Sequence, residues 1–361
     1  MNRTEPLGGE LPSARPAPGA LGLAERGWLP DWAIRLGIRS MCARRLRQER
    51  LGAPQSVTLR ARELMAAFRH SPLAISTQAA NEQHYELPPE FFSLVLGRRL
   101  KYSCGYYPRG TETLDQAEEA MLGLYESRAE LEDGQAILEL GCDWGSLTLW
   151  MAERYPNARI TAVSNSASQK LFISAACAAR GLRNVQVITR DVNRLELARE
   201  QYDRCVSIEM FEHLRNHELL LQRIACWLKP GGKLFAHLFV NRDLLYPFET
   251  AGRDNWLGRH FFTGGVMPAA HTLLWFQRDL QLESLWSVQG THYERTANHW
   301  LRNQDTHRED ILGILRGVYG AELASLWLQR WRMFWMACAE LFGYDRGREW
   351  FVSHYRFVRR P

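Results

Sequence analysis

The alternation of apolar runs and helix-like spacing along the chain predicts a sheet whose strands are joined by helices. Apolar runs of strand length, typical of strands covered on both faces, recur between residues 136 and 239. Helical spacing occurs between them, as in Ser168–Arg180, which Gly181 ends. This order predicts an α/β, doubly wound, mostly parallel sheet that binds ligands at the carboxyl ends of its strands. The first predicted strand lies at the start of the stretch from Ala136 and has the apolar run Ile137, Leu138 and Leu140. The later predicted strands are Arg159–Ser164, Val185–Ile188, Tyr202–Ile208 and Lys233–Phe239.

Further elements are predicted on both sides of these strands. Thr113–Arg128 has one apolar face and predicts a helix that leads into the first strand. Leu282–Val288 and Trp350–Val358 are predicted to complete the sheet. A helix is also predicted from Ala321 to Phe342, and its tryptophans recur every four residues. Such a stripe is more typical of a buried face than of an aromatic binding site.

Composition divides the chain into three parts. Residues 1–20 are rich in Pro, Gly and Ala without periodicity, which predicts a disordered tail. Residues 21–80 are predicted to form a helical N-terminal cap, and residues 81–361 one domain with a single core. Within that domain, residues 241–275 contain Gly, Pro and aromatic residues with little regular pattern, which favours a lid over a substrate.

The basic charge is concentrated near the N-terminus. Residues 1–80 hold twelve arginines, no lysine and six acidic residues, whereas the net charge of the whole chain is +5. A predicted helix with Trp28, Trp32, Ile34, Ile38 and Met41 at helical spacing carries six of these arginines. Two interpretations are open: the helix contacts an anionic membrane surface, or it packs over the catalytic core with a solvated arginine face. Nucleic acid is not expected as a partner, because no aromatic-interleaved basic groove accompanies the charge.

Cysteine content and hydropathy bear on location. Seven cysteines, without a Cys-x-x-Cys pair, favour a reduced cytoplasmic protein over a disulfide framework or a zinc site. No apolar run is long enough to span a bilayer. We therefore expect a cytoplasmic protein that contacts the inner face of the membrane peripherally, if at all.

A glycine-bearing turn follows the first predicted strand. Gly141 and Gly145 flank the turn, and helical spacing restarts at Leu147–Arg154. Glycines let the backbone pass close to a ligand, and a helix N-terminus behind such a turn binds the polar end of a nucleotide-like cofactor. After the next strand, Ser164-Asn165 stands where a dinucleotide enzyme usually has an acidic residue for the ribose. The pattern therefore argues against a nicotinamide cofactor.

Two motifs carry a resemblance to a known family. Glu139-Leu-Gly-Cys-Asp-Trp-Gly145 and Ser207-Ile-Glu-Met-Phe-Glu-His213 are similar to the S-adenosylmethionine-dependent methyltransferases that include cyclopropane fatty acid synthases, mycolic acid cyclopropane synthases and coclaurine N-methyltransferases. The resemblance runs from about Gln83 to Arg359 and implies a Rossmann-like class I methyltransferase fold that binds S-adenosylmethionine. The residues that it implies at the cofactor are Tyr102, Ser103, Glu139, Gly141, Asp143, Gly145, Ser164, Gln169, Asp191 and Val192.

The resemblance also implies catalytic residues for a lipid substrate. In the cyclopropane synthases a bicarbonate ion lies beside the substrate double bond, and methyl transfer to an alkene gives a carbocation that needs electron-rich groups and a base. The residues that match those holding the bicarbonate are Cys104, Glu212, His237 and Tyr293. The favoured hypothesis is therefore transfer of a methyl(ene) group to a cis double bond of an unsaturated acyl lipid.

A small amine is the alternative substrate. The N-methyltransferases resemble this chain in having Glu209 together with Glu212 and His213, and in the lid region around Phe261-Phe262. An amine needs a carboxylate or histidine that keeps its nitrogen unprotonated before attack.

Two further features qualify both hypotheses. Asp143 stands where the family pattern has glycine, and backbone strain and negative charge there would weaken cofactor binding, so a cofactor-impaired binding protein is a third hypothesis. His213 and His217 are four residues apart, but no third ligand accompanies them, so no metal is expected.

Overall fold

Seven strands form one sheet in the computed structural model, which describes residues 16–75, 87–252 and 255–360. The five predicted strands are present, with the fifth longer at both ends than predicted. The order across the sheet is β3-β2-β1-β4-β5-β9-β8. The strands of this sheet are β1 (Ala136–Leu140), β2 (Arg159–Ser164), β3 (Val185–Thr189), β4 (Tyr202–Ile208), β5 (Leu228–Asn241), β8 (Leu280–Val288) and β9 (Trp350–Arg359). A separate pair consists of β6 (Tyr246–Pro247) and β7 (Val266–Met267).

The sheet is mostly parallel, as predicted. β1 to β5 pair in parallel with one another, and β9 lies antiparallel between β5 and β8. Because β1 and β4 are neighbours, the turns that follow them meet at one edge. The doubly wound α/β fold of a class I methyltransferase is therefore confirmed.

Helices cover the sheet and the N-terminal side of the domain. They are α1 (Ala20–Glu25), α2 (Asp31–Glu49), α3 (Pro54–Arg69), α4 (Pro89–Val95), α5 (Leu114–Ala129), α6 (Ser146–Arg154), α7 (Ala167–Ala179), α8 (His217–Trp227), α9 (Trp256–His260), α10 (Gly290–Thr306), α11 (Arg308–Tyr319) and α12 (Ala321–Gly343). Helix α5 begins at a capping box, in which the Thr113 hydroxyl and the Gln116 side chain each accept from the other's backbone N–H.

Helix α12 forms the centre of an aromatic core. Trp327, Trp331 and Trp335 are at most 2% exposed, which confirms that the stripe is a packing face. The ring of Phe91 from α4 lies 4.9 Å from that of Trp331, and the indole N–H of Trp335 donates to Gln304 of α10 at 2.6 Å. These contacts join α4, α10 and α12 into one layer.

Helix α2 packs on α12 through ion pairs. Arg35 donates to Glu340 at 2.8 Å, and Arg39 also donates to Glu340. These pairs support the interpretation that the helix caps the core. Beside these arginines Trp32 and Leu36 are exposed, at 70% and 59%, so peripheral membrane contact stays a hypothesis. Among the described residues, no helix has both the length and the apolar character needed to cross a membrane.

The predicted tail and the start of the family resemblance lie partly outside the described residues. Residues 1–15 and 76–86 are not described, whereas Ala20 already begins α1. The predicted lid, apart from residues 253–254, folds as β6, α9, β7 and a 3₁₀ turn at Thr272–Trp275.

Candidate active site

The turn between β1 and α6 needs left-handed backbone at three positions. Gly141 and Gly145 have φ 79°, and Asp143 has φ 48°. A Cβ atom at Gly141 would lie 2.8 Å from the Cβ of Met210, which follows β4. Glycine is therefore required at Gly141, both for its φ and for the close approach of the two turns. Aspartate tolerates the φ of Asp143 at a cost of about 1 kcal/mol.

A deep cavity lies at the carboxyl ends of β1, β2 and β4. Of the ten residues predicted at the cofactor, eight line it: Tyr102, Ser103, Glu139, Gly141, Asp143, Ser164, Gln169 and Val192. Gly145 is instead the N-cap of α6. Asp191 caps the 3₁₀ turn Val192–Arg194, where its side chain accepts from the Asn193 backbone N–H at 2.7 Å.

Asp143 belongs to a polar chain along one side of the cavity. Its Oδ1 accepts from the Gln169 amide at 2.9 Å, and Gln169 Oε1 accepts from the Ser164 hydroxyl at 2.5 Å. Burial, and then the charge of Glu209, raise the pKa of Asp143 to about 8. A protonated Asp143 would not repel the carboxylate of a cofactor, which weakens the expected clash.

Lys101 is a cavity residue that the sequence analysis missed. Its side chain is buried beside the Ser103 hydroxyl and 5.1 Å from the centre of the Tyr125 ring. Burial lowers the pKa of Lys101 to about 8, although the charge of Glu209 opposes that effect. Its position directly before Tyr102-Ser103 was the only signal in the sequence, and a lone lysine carries no pattern.

Glu209 forms hydrogen bonds with three groups that belong to three different parts of the chain. Its Oε1 accepts from the Cys104 backbone N–H and lies within hydrogen-bond distance of His237 Nε2, each at 3.0 Å, and its Oε2 accepts from the Tyr293 hydroxyl at 2.6 Å. Its backbone has φ 48°, an uncommon conformation that the surrounding structure maintains. Burial raises the pKa of Glu209, while the charge of Lys101 and the hydrogen bonds from Tyr293 and the Cys104 backbone oppose the rise.

Cys104, Glu212 and His237 lie behind the cavity wall formed by the described residues, whereas Glu209, His213 and Tyr293 are part of that wall. The Cys104 thiol donates to the Gly105 carbonyl at 3.1 Å. The Glu212 Oε1 accepts from the Phe239 backbone N–H at 2.6 Å, and burial keeps the pKa of Glu212 well above its usual range. Burial therefore favours the neutral form of Glu212 beneath the site.

The two motif histidines have different surroundings. His213 stacks on Phe262 with ring centres 4.7 Å apart, and burial lowers the pKa of His213 to about 4. Its imidazole is therefore neutral at pH 7. His217 hydrogen-bonds through Nε2 to the Phe211 carbonyl at 2.9 Å, so its side chain has a structural role.

Aromatic rings form another part of the cavity wall. Tyr293 of α10 stacks on Phe342 of α12 with ring centres 4.2 Å apart, and Phe248 of the lid segment lies 4.8 Å from Phe262. Sequence spacing could not place these rings together, because they come from three separate segments, namely α10, α12 and the lid. Other aromatic residues of the wall are Tyr102, Tyr125, Phe239, Trp300 and Phe334.

The cavity suits the chemical groups of S-adenosylmethionine. Gly141 leaves room beside the backbone, Ser103, Ser164 and Gln169 offer polar atoms, and Val192 offers apolar surface for a base. Bicarbonate fits less well, because His237, Tyr293 and the backbone at Cys104 already form hydrogen bonds with Glu209.

Comparison with known proteins identifies related sequences and structures. The mycolic acid cyclopropane synthetase family matches residues 74–347. An (S)-coclaurine N-methyltransferase of Thalictrum flavum subsp. glaucum is 36% identical over 93% of this chain and 94% of its own length. The crystal structure of a coclaurine N-methyltransferase bound to N-methylheliamine and SAH covers 93% of this chain and 97% of its own, with a TM-score of 0.89 and 36% identity. The cyclopropane-fatty-acyl-phospholipid synthase of Escherichia coli (strain K12) is 27% identical over 61% of this chain and 54% of its own.

Proposed function

The chain belongs to the mycolic acid cyclopropane synthetase family of S-adenosylmethionine-dependent methyltransferases, and we propose that it methylates the nitrogen of a small aromatic amine. The single observation that carries the proposal is the position of the Glu209 carboxylate. It forms hydrogen bonds with the Cys104 backbone N–H, His237 and Tyr293, three of the four residues expected around a bicarbonate. A carboxylate fixed to the protein thus takes the place expected for a free anion.

This position favours an amine over an alkene. An amine at pH 7 is mostly protonated, and its nitrogen has no lone pair for attack until the proton is removed. Glu209 faces the cavity, and its negative charge attracts an ammonium group and its oxygen accepts the proton. The pKa of Glu209 is raised by burial, which makes it a stronger base than an exposed carboxylate.

His213 and the aromatic wall orient the substrate. The neutral imidazole of His213 offers a second acceptor for an amine N–H beside Glu209. Phe248, Phe262 and Phe342 offer ring faces, which attract both an aromatic substrate and a positive charge. S-adenosylmethionine, when bound, supplies an electrophilic methyl group on a positively charged sulfur.

The relatives support an amine substrate in preference to the acyl lipid that the sequence favoured. The relative at 36% identity is named for coclaurine N-methylation, whereas the cyclopropane synthase matches a smaller share of the chain at lower identity. Cys104, which favoured the lipid hypothesis, donates its thiol to a backbone carbonyl and lies behind the wall. We therefore place the tetrahydroisoquinoline type of amine first among substrates.

Binding measurements test the proposal without turnover. Calorimetry on the protein saturated with S-adenosylhomocysteine should show binding of 1-benzyl-tetrahydroisoquinoline, and Glu209→Gln should weaken it while Cys104→Ser leaves it unchanged. Binding of a cis-unsaturated phospholipid in place of the amine, or equal amine affinity in the Glu209 variant, would contradict the proposed role of Glu209.

A further inference from the structure

A chain of hydrogen bonds extends behind Glu209, away from the cavity. His237 of β5 contacts Glu209 through Nε2 at 3.0 Å, and its Nδ1 lies 2.9 Å from Nε2 of His354 on β9. Nδ1 of His354 lies 2.6 Å from Nη1 of Arg128, near the end of α5. Both imidazoles are fully buried, and β5 and β9 pair directly at these two residues.

The direction of these hydrogen bonds follows from the chemistry of arginine. A guanidinium has only donors and stays protonated in proteins, so the contact with Arg128 requires a lone pair on His354 Nδ1. The proton of a neutral His354 is then on Nε2, from which it is donated to His237 Nδ1. The proton of His237 is in turn on its Nε2, from which it is donated to Glu209.

Both histidines are neutral. Burial, and then nearby cations that include Lys101 and Arg128, hold the pKa of His237 well below its usual range. Burial has the same effect on the pKa of His354, with His237 and Arg128 adding to it. The hydroxyl of Tyr125 also lies 2.9 Å from His237 Nδ1, but a hydroxyl both donates and accepts and so does not fix a direction.

The direction decides the protonation state of Glu209. With three donors on its oxygens, the side chain is held as an acceptor, which is the ionised form. If the hydrogen bonds had the opposite direction, His237 would present an unprotonated Nε2 to Glu209 at 3.0 Å, and Glu209 would have to be protonated to donate a hydrogen bond to it. The other titratable groups that act on Glu209, or on which it acts, are Lys101, the Cys104 thiol, Tyr125, Asp143, Glu212, His213 and Cys338.

We infer that Arg128 and His354 are positioning residues, which fix the tautomer of His237 and thereby keep Glu209 ionised for the substrate amine. This inference rests on the proposed function only in taking the substrate to be an amine. The direction of the hydrogen bonds from Arg128 to Glu209 does not depend on the substrate. Arg128 is suited to a fixed role, since its guanidinium also lies 5.2 Å from the centre of the Trp286 ring.

Two substitutions at Arg128 distinguish an effect of hydrogen-bond direction from an effect of side-chain packing. Arg128→Lys keeps a group that only donates, so the direction and the activity should be retained. Arg128→Glu presents an ionised carboxylate that only accepts, so both histidines should move their protons to Nδ1 and Glu209 should become protonated. Amine methylation should then fall by roughly 10²-fold, as for loss of one preorganised charged group.

The tautomers can be observed directly in the full chain. Protein labelled with ¹⁵N at histidine is measured by NMR near pH 7.5, and signals are assigned by their loss in His237→Asn and His354→Asn. We expect a proton on Nε2 of both residues in the wild type and in Arg128→Lys, and on Nδ1 of both in Arg128→Glu.

A proton on Nδ1 of His237 in the wild-type protein would overturn the inference, even if Arg128→Glu does not fold. An unchanged tautomer in a folded Arg128→Glu protein would also overturn it. If both histidines carry their protons as expected but the wild type methylates no amine, the proposed function is wrong, whereas the inferred direction of the hydrogen bonds is still supported.

Discussion

Replacing Glu209 by glutamine tests the proposed chemistry at one atom. The carboxylate accepts from the Cys104 backbone N–H, from His237 and from Tyr293. A glutamine amide has one oxygen, and its NH₂ group can only donate. At least one of the three donors therefore loses its partner, and the cavity loses its negative charge at this position.

The expected loss can be estimated from the number of groups involved. Removal of one preorganised charged group that acts at the reacting centre lowers rates roughly 10²–10³-fold, or about 3–4 kcal/mol. We expect kcat/KM for a secondary amine to fall by this amount in Glu209→Gln at neutral pH. The Tm of the variant should change little, because glutamine has nearly the same shape as glutamate and keeps the packing around residue 209.

The pH dependence identifies the cause of the loss. Without Glu209, only the free base form of the amine in solution can react, and its fraction rises about tenfold per pH unit below an amine pKa of about 10. The rate of the variant should therefore rise steeply between about pH 6 and pH 9.5, and the rate of the wild type less steeply.

Cys104→Ser is the matched control, since the Cys104 thiol bonds to the Gly105 carbonyl behind the wall and only its backbone N–H contacts Glu209. It should leave the rate of amine methylation nearly unchanged. The reasoning would be refuted by parallel pH profiles for Glu209→Gln and wild type, or by a large loss in Cys104→Ser.

Three further predictions concern other parts of the molecule. The pKa of Asp143 is raised to about 8, so the folded chain holds a proton that the unfolded chain releases, and stability falls as the pH rises from about 4 to 8. Asp143→Asn should therefore raise the Tm relative to wild type at pH 8 but not at pH 4. Glu25 forms a buried ion pair with Arg330 at 3.0 Å, so Glu25→Ala should cost about 3–5 kcal/mol in chemical denaturation, and adding Arg330→Met should recover part of it. If the exposed face of α2 contacts anionic lipid, replacing Trp32 and Leu36 by serine should reduce cosedimentation with anionic vesicles, and no binding by the wild type would exclude that contact.

The central strands β1, β2, β4 and β5 could be predicted because they are largely buried on both faces. The predicted Arg159–Ser164 and Tyr202–Ile208 coincide with the observed β2 and β4. The helices α10 and α11 were not predicted. Both helices are amphipathic, with one apolar and one polar face. In Gly290–Thr306 the family resemblance indicated only Tyr293 as a site residue.

Only those residues of the candidate site that belong to recognisable sequence motifs could be predicted. The turn after β1 and the Glu209–His213 segment lie together as expected, because parallel order places them at one edge of the sheet. The partnership of Glu209 with His237 could not be foreseen, since it depends on a pairing between residues 28 positions apart. Arg128 and His354 gave no signal, because their role depends only on packing between α5 and β9.

Methyl transfer to an amine is the measurement that tests the central claim most directly. Purified protein is incubated with S-adenosylmethionine and an equimolar mixture of 1-benzyl-tetrahydroisoquinoline and a cis-unsaturated phospholipid, and both products are followed by mass spectrometry. We predict that the amine gains the mass of one methyl group, that the product fragments as an N-methyl compound, and that Glu209→Gln abolishes most of the signal. Modification of the phospholipid with the amine left unchanged would contradict the proposed function.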